Sequence, residues 1–236
     1  MKETLKTLAM LLFALVLFAG SISYALRGTS AVPVSAAAAG FPTVVIDAGH
    51  GGMDGGAVGI SGALERDINL AVAQKTELLL ALLGVPTVMT RTTDADIAPG
   101  GPYASIRARK AADMHERRAI VDAQPSAILL SVHMNNFGQS RYSGAQVFYN
   151  QTDGAQALAE VLQRNLIDAA DPSNTRVVMP VSPDLYLYRS VSCPAVLVEC
   201  GFLSNAAEEA KLKTDAYQTK LGLCLAVSVF QHILSA

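Results

Sequence analysis

Apolar residues along this chain follow two rhythms. Three runs are short, continuous and rich in branched side chains: Val44-Val45-Ile46, Ala127-Ile128-Leu129-Leu130-Ser131-Val132 and Ala195-Val196-Leu197-Val198. Runs of that length read as buried strands, and strands without polar alternation are covered on both faces. Elsewhere the apolar positions recur at three and four residues. Ile68, Ala71, Val72, Leu78, Leu79 and Leu82 predict the buried face of a helix that Leu64-Glu65-Arg66-Asp67 opens and Gly84 and Pro86 stop. Further helices are predicted from about Tyr103 to Ala123, from Asp153 to Ala170 with Asp153 as its cap, and from a Ser204-Asn205 cap to Ser235. Leu221, Leu225, Val229 and Ile233 give the last one its stripe. Val85 to Thr90, Gly144 to Tyr149 and Tyr186-Leu187-Tyr188 predict additional strands. Strands alternating with helices indicate an α/β fold, here one domain with a mixed, mostly parallel sheet flanked by helices.

The N-terminus has a different character. Lys2 and Lys6 precede an uncharged stretch from Thr7 to Leu26, whose apolar core, Leu8 to Gly20, has the length of a signal-peptide hydrophobic region. The whole stretch approaches the ~20 residues that span a bilayer, and Ser23-Tyr24-Ala25 resembles a cleavage signal. Residues 1–26 are therefore expected to be a signal peptide or membrane anchor, 27–42 a linker and 43–236 the catalytic domain, carried outside the cytoplasm. With 236 residues, 51% of them hydrophobic, and a net charge of -2 with no run of Lys or Arg, the chain shows no signature of a nucleic-acid partner or a polybasic membrane patch. Cys193, Cys200 and Cys224 form neither a disulfide framework nor a CxxC pair.

Chemistry enters where the three continuous runs end. The first leads through Asp47-Ala48-Gly49 into His50, the second into His133 and the third into Glu199. Ligands of open α/β sheets bind outside the carboxyl ends of the strands, so these three side chains are expected to converge. The loop Gly51 to Gly62 invites a dinucleotide reading, but Asp54 stands where a third glycine belongs, and no Gly-Lys-Ser/Thr occurs. It is read as flexible backbone beside a substrate. Glu65 falls in the first turn of a helix, where the dipole favours a carboxylate. His115-Glu116 begins like a zincin motif, but the second histidine would have to be residue 119, which is Ala119; His115 is expected at the surface. A catalytic zinc takes three His or carboxylate ligands and leaves a position open. A further carboxylate is needed to carry a proton to the leaving group. Two His and two Glu meet that inventory, and spacing leaves open which Glu binds the metal.

Four segments carry a resemblance: Asp47-Ala48-Gly49-His50-Gly51-Gly52, Glu65-Arg66-Asp67, Ser131-Val132-His133-Met134-Asn135 and Val198 to Asn205. In this order they resemble the signature motifs of the zinc N-acetylmuramoyl-L-alanine amidases, from Thr43 to the C-terminus. The resemblance implies one Zn2+ per chain on His50, Glu65 and His133, with Glu199 as catalytic acid/base. It also implies a peptidoglycan substrate, cut at the amide between the lactyl group of N-acetylmuramic acid and L-alanine. Asp54, Asn135, Gly51 and Gly52 are candidate substrate contacts. Val88 to Arg91, Asp94 to Pro99 and Arg109 to Asp113 resemble the germination-specific amidases of spore formers, which prepare spore-cortex peptidoglycan. Two features depart from the pattern. Ala48 replaces a frequent proline, and Cys200 replaces Thr, Ser or Val and is expected to pack as a small buried hydrophobe. The segment between Tyr149 and Ala155 leaves no room for the inhibitory helix of some relatives, so control would come from elsewhere, such as a regulatory protein partner. Two alternatives compete: a non-catalytic wall-binding module, which would have no need of Glu199, and a cysteine amidase, which would need Cys200 at an exposed, activating position.

Overall fold

A computed structural model describes residues 40–98 and 100–235; the expected signal or anchor segment and most of the linker lie outside the described residues. The chain runs β1 (Thr43–Ala48), α1 (Glu65–Leu82), β2 (Thr87–Met89), α2 (Ile106–Asp122), β3 (Ala127–Asn135), β4 (Gln146–Tyr149), α3 (Ala155–Ala170), β5 (Met179–Pro180), α4 (Tyr186–Ser190), β6 (Ala195–Phe202), α5 (Ala206–Leu212) and α6 (Asp215–Ser235). The six strands form one sheet in the order β2-β1-β3-β6-β4-β5. β6 and β4 pair antiparallel, and every other pairing is parallel.

Each continuous apolar run faces two cores, because successive side chains of a strand point to opposite faces. Val44 and Ile46 of β1, Leu130 and Val132 of β3, and Val196 and Val198 of β6 pack with α1, α3 and α6. Val45, Leu129 and Leu197 face the other way, onto Val121 of α2 and Leu187, Tyr188 and Val191 of the α4 region. None of these strand residues is more than 8% exposed. Among the described residues no helix is long and apolar enough to cross a membrane.

Several local expectations need correction. Tyr186-Leu187-Tyr188 is helical, the short α4, rather than a strand. Its apolar character reflects burial of Leu187 and Tyr188 against the sheet, and tertiary packing overrides β-propensity there. β5 went unread: it is a two-residue edge strand containing a proline. α3 is capped by Gly154, at φ 83°, and not by Asp153. On α1, Leu78 and Leu82 are exposed, and the buried face includes Asn69 and Thr76 instead. The final helical region divides into α5 and α6. Asn205 caps α5 as expected, its side-chain oxygen accepting from the amides of Ala207 and Glu208. β4 passes into α3 across residues 150–154, with no helix between them.

Candidate metal centre and active site

The parallel trio β1-β3-β6 brings the chemistry to one edge. His133 and Glu199 are direct cross-strand partners. Asp47, at the end of β1, pairs with Ser131. His50 follows two residues beyond β1, and Glu65 enters from the first turn of α1. His50, Glu65 and His133 present ligand atoms that all lie within 4.8 Å of one another. The Nε2 of His50 is 3.2 Å from Glu65 Oε2, and the Nδ1 of His133 is 2.9 Å from Glu65 Oε1. The two imidazole rings meet edge to face with centroids 5.0 Å apart.

Glu65 is held from every side. Its Oε2 accepts from the amide of Ala57 at 2.8 Å, and its Oε1 from the amide of Met134 at 3.1 Å and from Asn69 Nδ2 at 3.2 Å. Burial opposes its charge, but the hydrogen bonds and charges of His133 and His50 overcome burial and hold the carboxyl far below its usual range. His50 is shifted upward: burial disfavours its charge, but Glu65 and Asp54 outweigh it. Asp54 Oδ2 lies 3.0 Å from His50 Nδ1, and Lys110 pairs with Asp54 Oδ1 at 2.9 Å. Glu199 is the opposite case. Its Oε2 is buried without a hydrogen-bond partner. Burial, reinforced by the charge of Glu65 and only partly offset by the histidines, pushes its carboxyl up to about 7.

Two glycines make this packing possible: Gly49 of the first motif, and Gly56, to which the sequence assigns no role. A Cβ on Gly49 would fall 2.2 Å from the His133 ring. A Cβ on Gly56 would fall 2.6 Å from Glu65 Oε2 and 2.7 Å from His50 Cδ2. The glycine-rich loop, expected to be flexible backbone beside a substrate, is packed against the site instead. It is folded down tightly, with Ser61 bonded through its amide and hydroxyl to the buried Glu209. Its glycines let backbone approach the site closely.

A cavity of about 430 Å³ opens beside the cluster, lined by His50, Gly51, Asp54, His133 and Glu199 on one side. The facing wall is largely apolar, with Ile106, Met114, Leu185 and Leu187. Tyr188 also lines it, as do Arg109 and Lys110 at the rim. Gly52 and Asn135 do not line this cavity. The Gly52 carbonyl accepts from Arg66, and the Asn135 carbonyl accepts from the amide of Leu203. His115 is exposed and bonded to the Tyr186 hydroxyl. Cys200 is 1% exposed on the core side of β6, and burial together with the neighbouring Glu199 drives its thiol pKa well upward. A thiol so placed is not a nucleophile.

Two imidazoles, one carboxylate and an open side toward a cavity are the donor set of a catalytic zinc site, so these residues fit that ion. Comparison with known proteins agrees in family. Residues 44–231 match the family described as N-acetylmuramoyl-L-alanine amidase. The germination-specific N-acetylmuramoyl-L-alanine amidase of Bacillus subtilis is 34% identical over 99% of this chain and 95% of its own length. Among solved structures, the chain is similar to the CwlD amidase of Clostridioides difficile, determined in complex with the GerS lipoprotein. The TM-score is 0.79 at 32% identity, covering 83% of this chain and 100% of that one. The catalytic domain of CwlV, an amidase of Bacillus (Paenibacillus) polymyxa var. colistinus, gives 0.66 at 28% identity, covering 83% of this chain and 99% of that one. A match that spans nearly the whole described fold, with a relative above 30% identity along almost its full length, makes this chain a member of the N-acetylmuramoyl-L-alanine amidase family.

Proposed function

We propose that this amidase holds one zinc ion on His50, Glu65 and His133 and uses Glu199 as its acid/base. The bond cut is the amide joining the lactyl group of N-acetylmuramic acid to the L-alanine of the peptide stem. The observation that carries this reading is the contrast between the two carboxylates: Glu65 stands between two histidines, while Glu199 keeps a buried oxygen unpartnered. Zinc bound in such a site supplies a Lewis acid and lowers the pKa of water toward ~7. Glu199 takes the proton released as water adds to the amide carbon. It then gives that proton to the departing nitrogen, so the C–N bond breaks and the amine of L-alanine leaves neutral. The apolar wall of Ile106, Met114, Leu185 and Leu187 keeps bulk water from competing for that proton. Asp54, expected to touch substrate, is suited instead to orient His50, since its contact with Nδ1 leaves Nε2 directed at Glu65.

We further infer a place of action outside the cytoplasm, on spore-cortex peptidoglycan. The germination-specific name of the Bacillus subtilis relative supports it, as does the signal-like N-terminal sequence. Control by a protein partner is the matching proposal, supported by the lipoprotein complex of the CwlD neighbour. Digestion of purified cortex and vegetative peptidoglycan by the zinc-loaded protein tests the reaction. New N-terminal L-alanine is the expected product, enriched with cortex. New reducing ends, or new termini within the peptide stem, would contradict it.

A further inference from the structure

His50 has a backbone that few side chains adopt. Its φ is 61°, and among the described residues it is the one non-glycine with a positive value. Such a conformation persists only where surrounding structure over-determines it. Here the surroundings are two buried arginines. Arg91 donates from Nε to the Ala48 carbonyl at 2.8 Å and from a terminal nitrogen to the Gly49 carbonyl at 2.9 Å. Arg117 donates to the Ala48 carbonyl at 3.0 Å and to the carbonyl of His50 itself at 2.7 Å. Three consecutive carbonyls, Ala48, Gly49 and His50, are thus fixed by two guanidinium forks. The same terminal nitrogen of Arg91 also bonds the Arg66 carbonyl at 2.8 Å, one residue past Glu65. Arg91 therefore joins the loop carrying His50 to the helix turn carrying Glu65.

Arg117 is 1% exposed on α2, and its charge is balanced by Asp47 at 2.5 Å and Asp113 at 2.7 Å. Asp47 is fixed in turn by the Ser131 and Thr90 hydroxyls. The clamp is therefore anchored in β1, β3 and α2, and it grips the chain where β1 ends: the last ladder bond to β3 runs from the Gly49 amide to the Val132 carbonyl, and the carbonyls of Ala48, Gly49 and His50 are held by the arginines.

We propose that Arg91 and Arg117 are positioning residues of the metal centre: their forks hold residues 48–50 so that the His50 imidazole stands beside Glu65 and His133. This rests on the reading of His50 as a zinc ligand. The requirement is for a fork, since one lysine ammonium, a point charge on a flexible stem, does not replicate two fixed carbonyl contacts. The test is zinc affinity by chelator competition, on folded protein well below its melting temperature. Wild type is compared with His50→Ala, Arg91→Lys, Arg117→Lys and Leu166→Ala. The last removes buried packing in α3, remote from the clamp, and reports general destabilisation. Arg91→Lys and Arg117→Lys are expected to weaken zinc by ~10–100-fold, the range for groups that orient ligands, with Leu166→Ala unchanged. Wild-type affinity in folded Arg91→Lys would overturn the proposal while leaving the ligand reading intact. Equal weakening in Leu166→Ala would overturn it too, by reducing the effect to lost stability. Unchanged affinity in His50→Ala would overturn the ligand reading beneath it. Should Arg117→Lys not fold, because Asp47 and Asp113 lose their fork, Arg91→Lys decides alone, since Arg91 makes no ion pair with either.

Discussion

Glu65 and Glu199 face the same cluster from opposite kinds of support. Glu65 sits where a helix begins and a tight loop folds over it, and its oxygens meet two imidazoles and three N–H donors. Glu199 sits on a central strand directly across from His133, with an oxygen that nothing satisfies. A carboxylate surrounded by donors stays anionic and immobile, which suits a ligand. A buried carboxylate left short of partners is poised to accept a proton, which suits an acid/base. One residue type thus takes two roles through its surroundings. Asp47, a third carboxylate at this edge, belongs with Glu65: its oxygens are paired with Arg117, Ser131 and Thr90.

The contrast can be broken in order of size. Glu199→Gln keeps the shape and removes the proton acceptor, so turnover is expected to fall ~10²–10⁴-fold while the protein folds normally; a loss under tenfold would place the acid/base elsewhere. Gly56→Ala attacks the Glu65 side by driving a methyl group toward its Oε2 and the His50 ring. Overpacking costs ~1–3 kcal/mol, and the left-handed backbone at φ 67° adds about 1. Urea unfolding should show that loss together with weaker zinc binding, and unchanged stability would mean the loop is not packed as described.

Asp47 gives a pH signature. Burial alone would raise its carboxyl, but Arg117, Ser131, His133 and Thr90 hold it at about 2, below the ordinary 3.8. A depressed folded pKa stabilises above the unfolded value, and that stability disappears as pH falls toward the folded one. Between pH ~4 and ~2 the loss is about 2 kcal/mol. Urea midpoints at pH 5 and 2.5 should therefore fall further in wild type than in Asp47→Asn; identical falls would contradict the pairing. The smallest effect is on the Glu199 strand. Cys200→Val preserves volume in a buried site and should cost less than ~1.5 kcal/mol with activity kept. A folded, zinc-loaded but inactive variant would revive a cysteine mechanism.

The strands and their terminal residues were legible because continuous apolar runs ending in His133 or Glu199 have few other readings in an α/β chain. The support was not. Asp113, Arg117 and Val121 lie four residues apart on one stripe of α2, yet Asp and Arg at that spacing ordinarily form an exposed pair; only the fold buries them. Gly49 and Gly56 looked like loop composition, because the rings and carboxylate that forbid a side chain there arrive from His133 and Glu65, distant in sequence. Tyr186 to Tyr188 misled for the same reason, since a single helical turn buried against a sheet carries the residues of a strand.

The central claim is that surroundings divide two identical side chains into ligand and acid/base. The most direct measurement is the zinc affinity of Glu65→Gln and Glu199→Gln, by chelator competition on the two folded proteins side by side. Near wild-type affinity is expected in Glu199→Gln and affinity about tenfold weaker or worse in Glu65→Gln, where a neutral amide replaces an anionic donor. Zinc lost from Glu199→Gln and kept by Glu65→Gln would reverse the roles and contradict it.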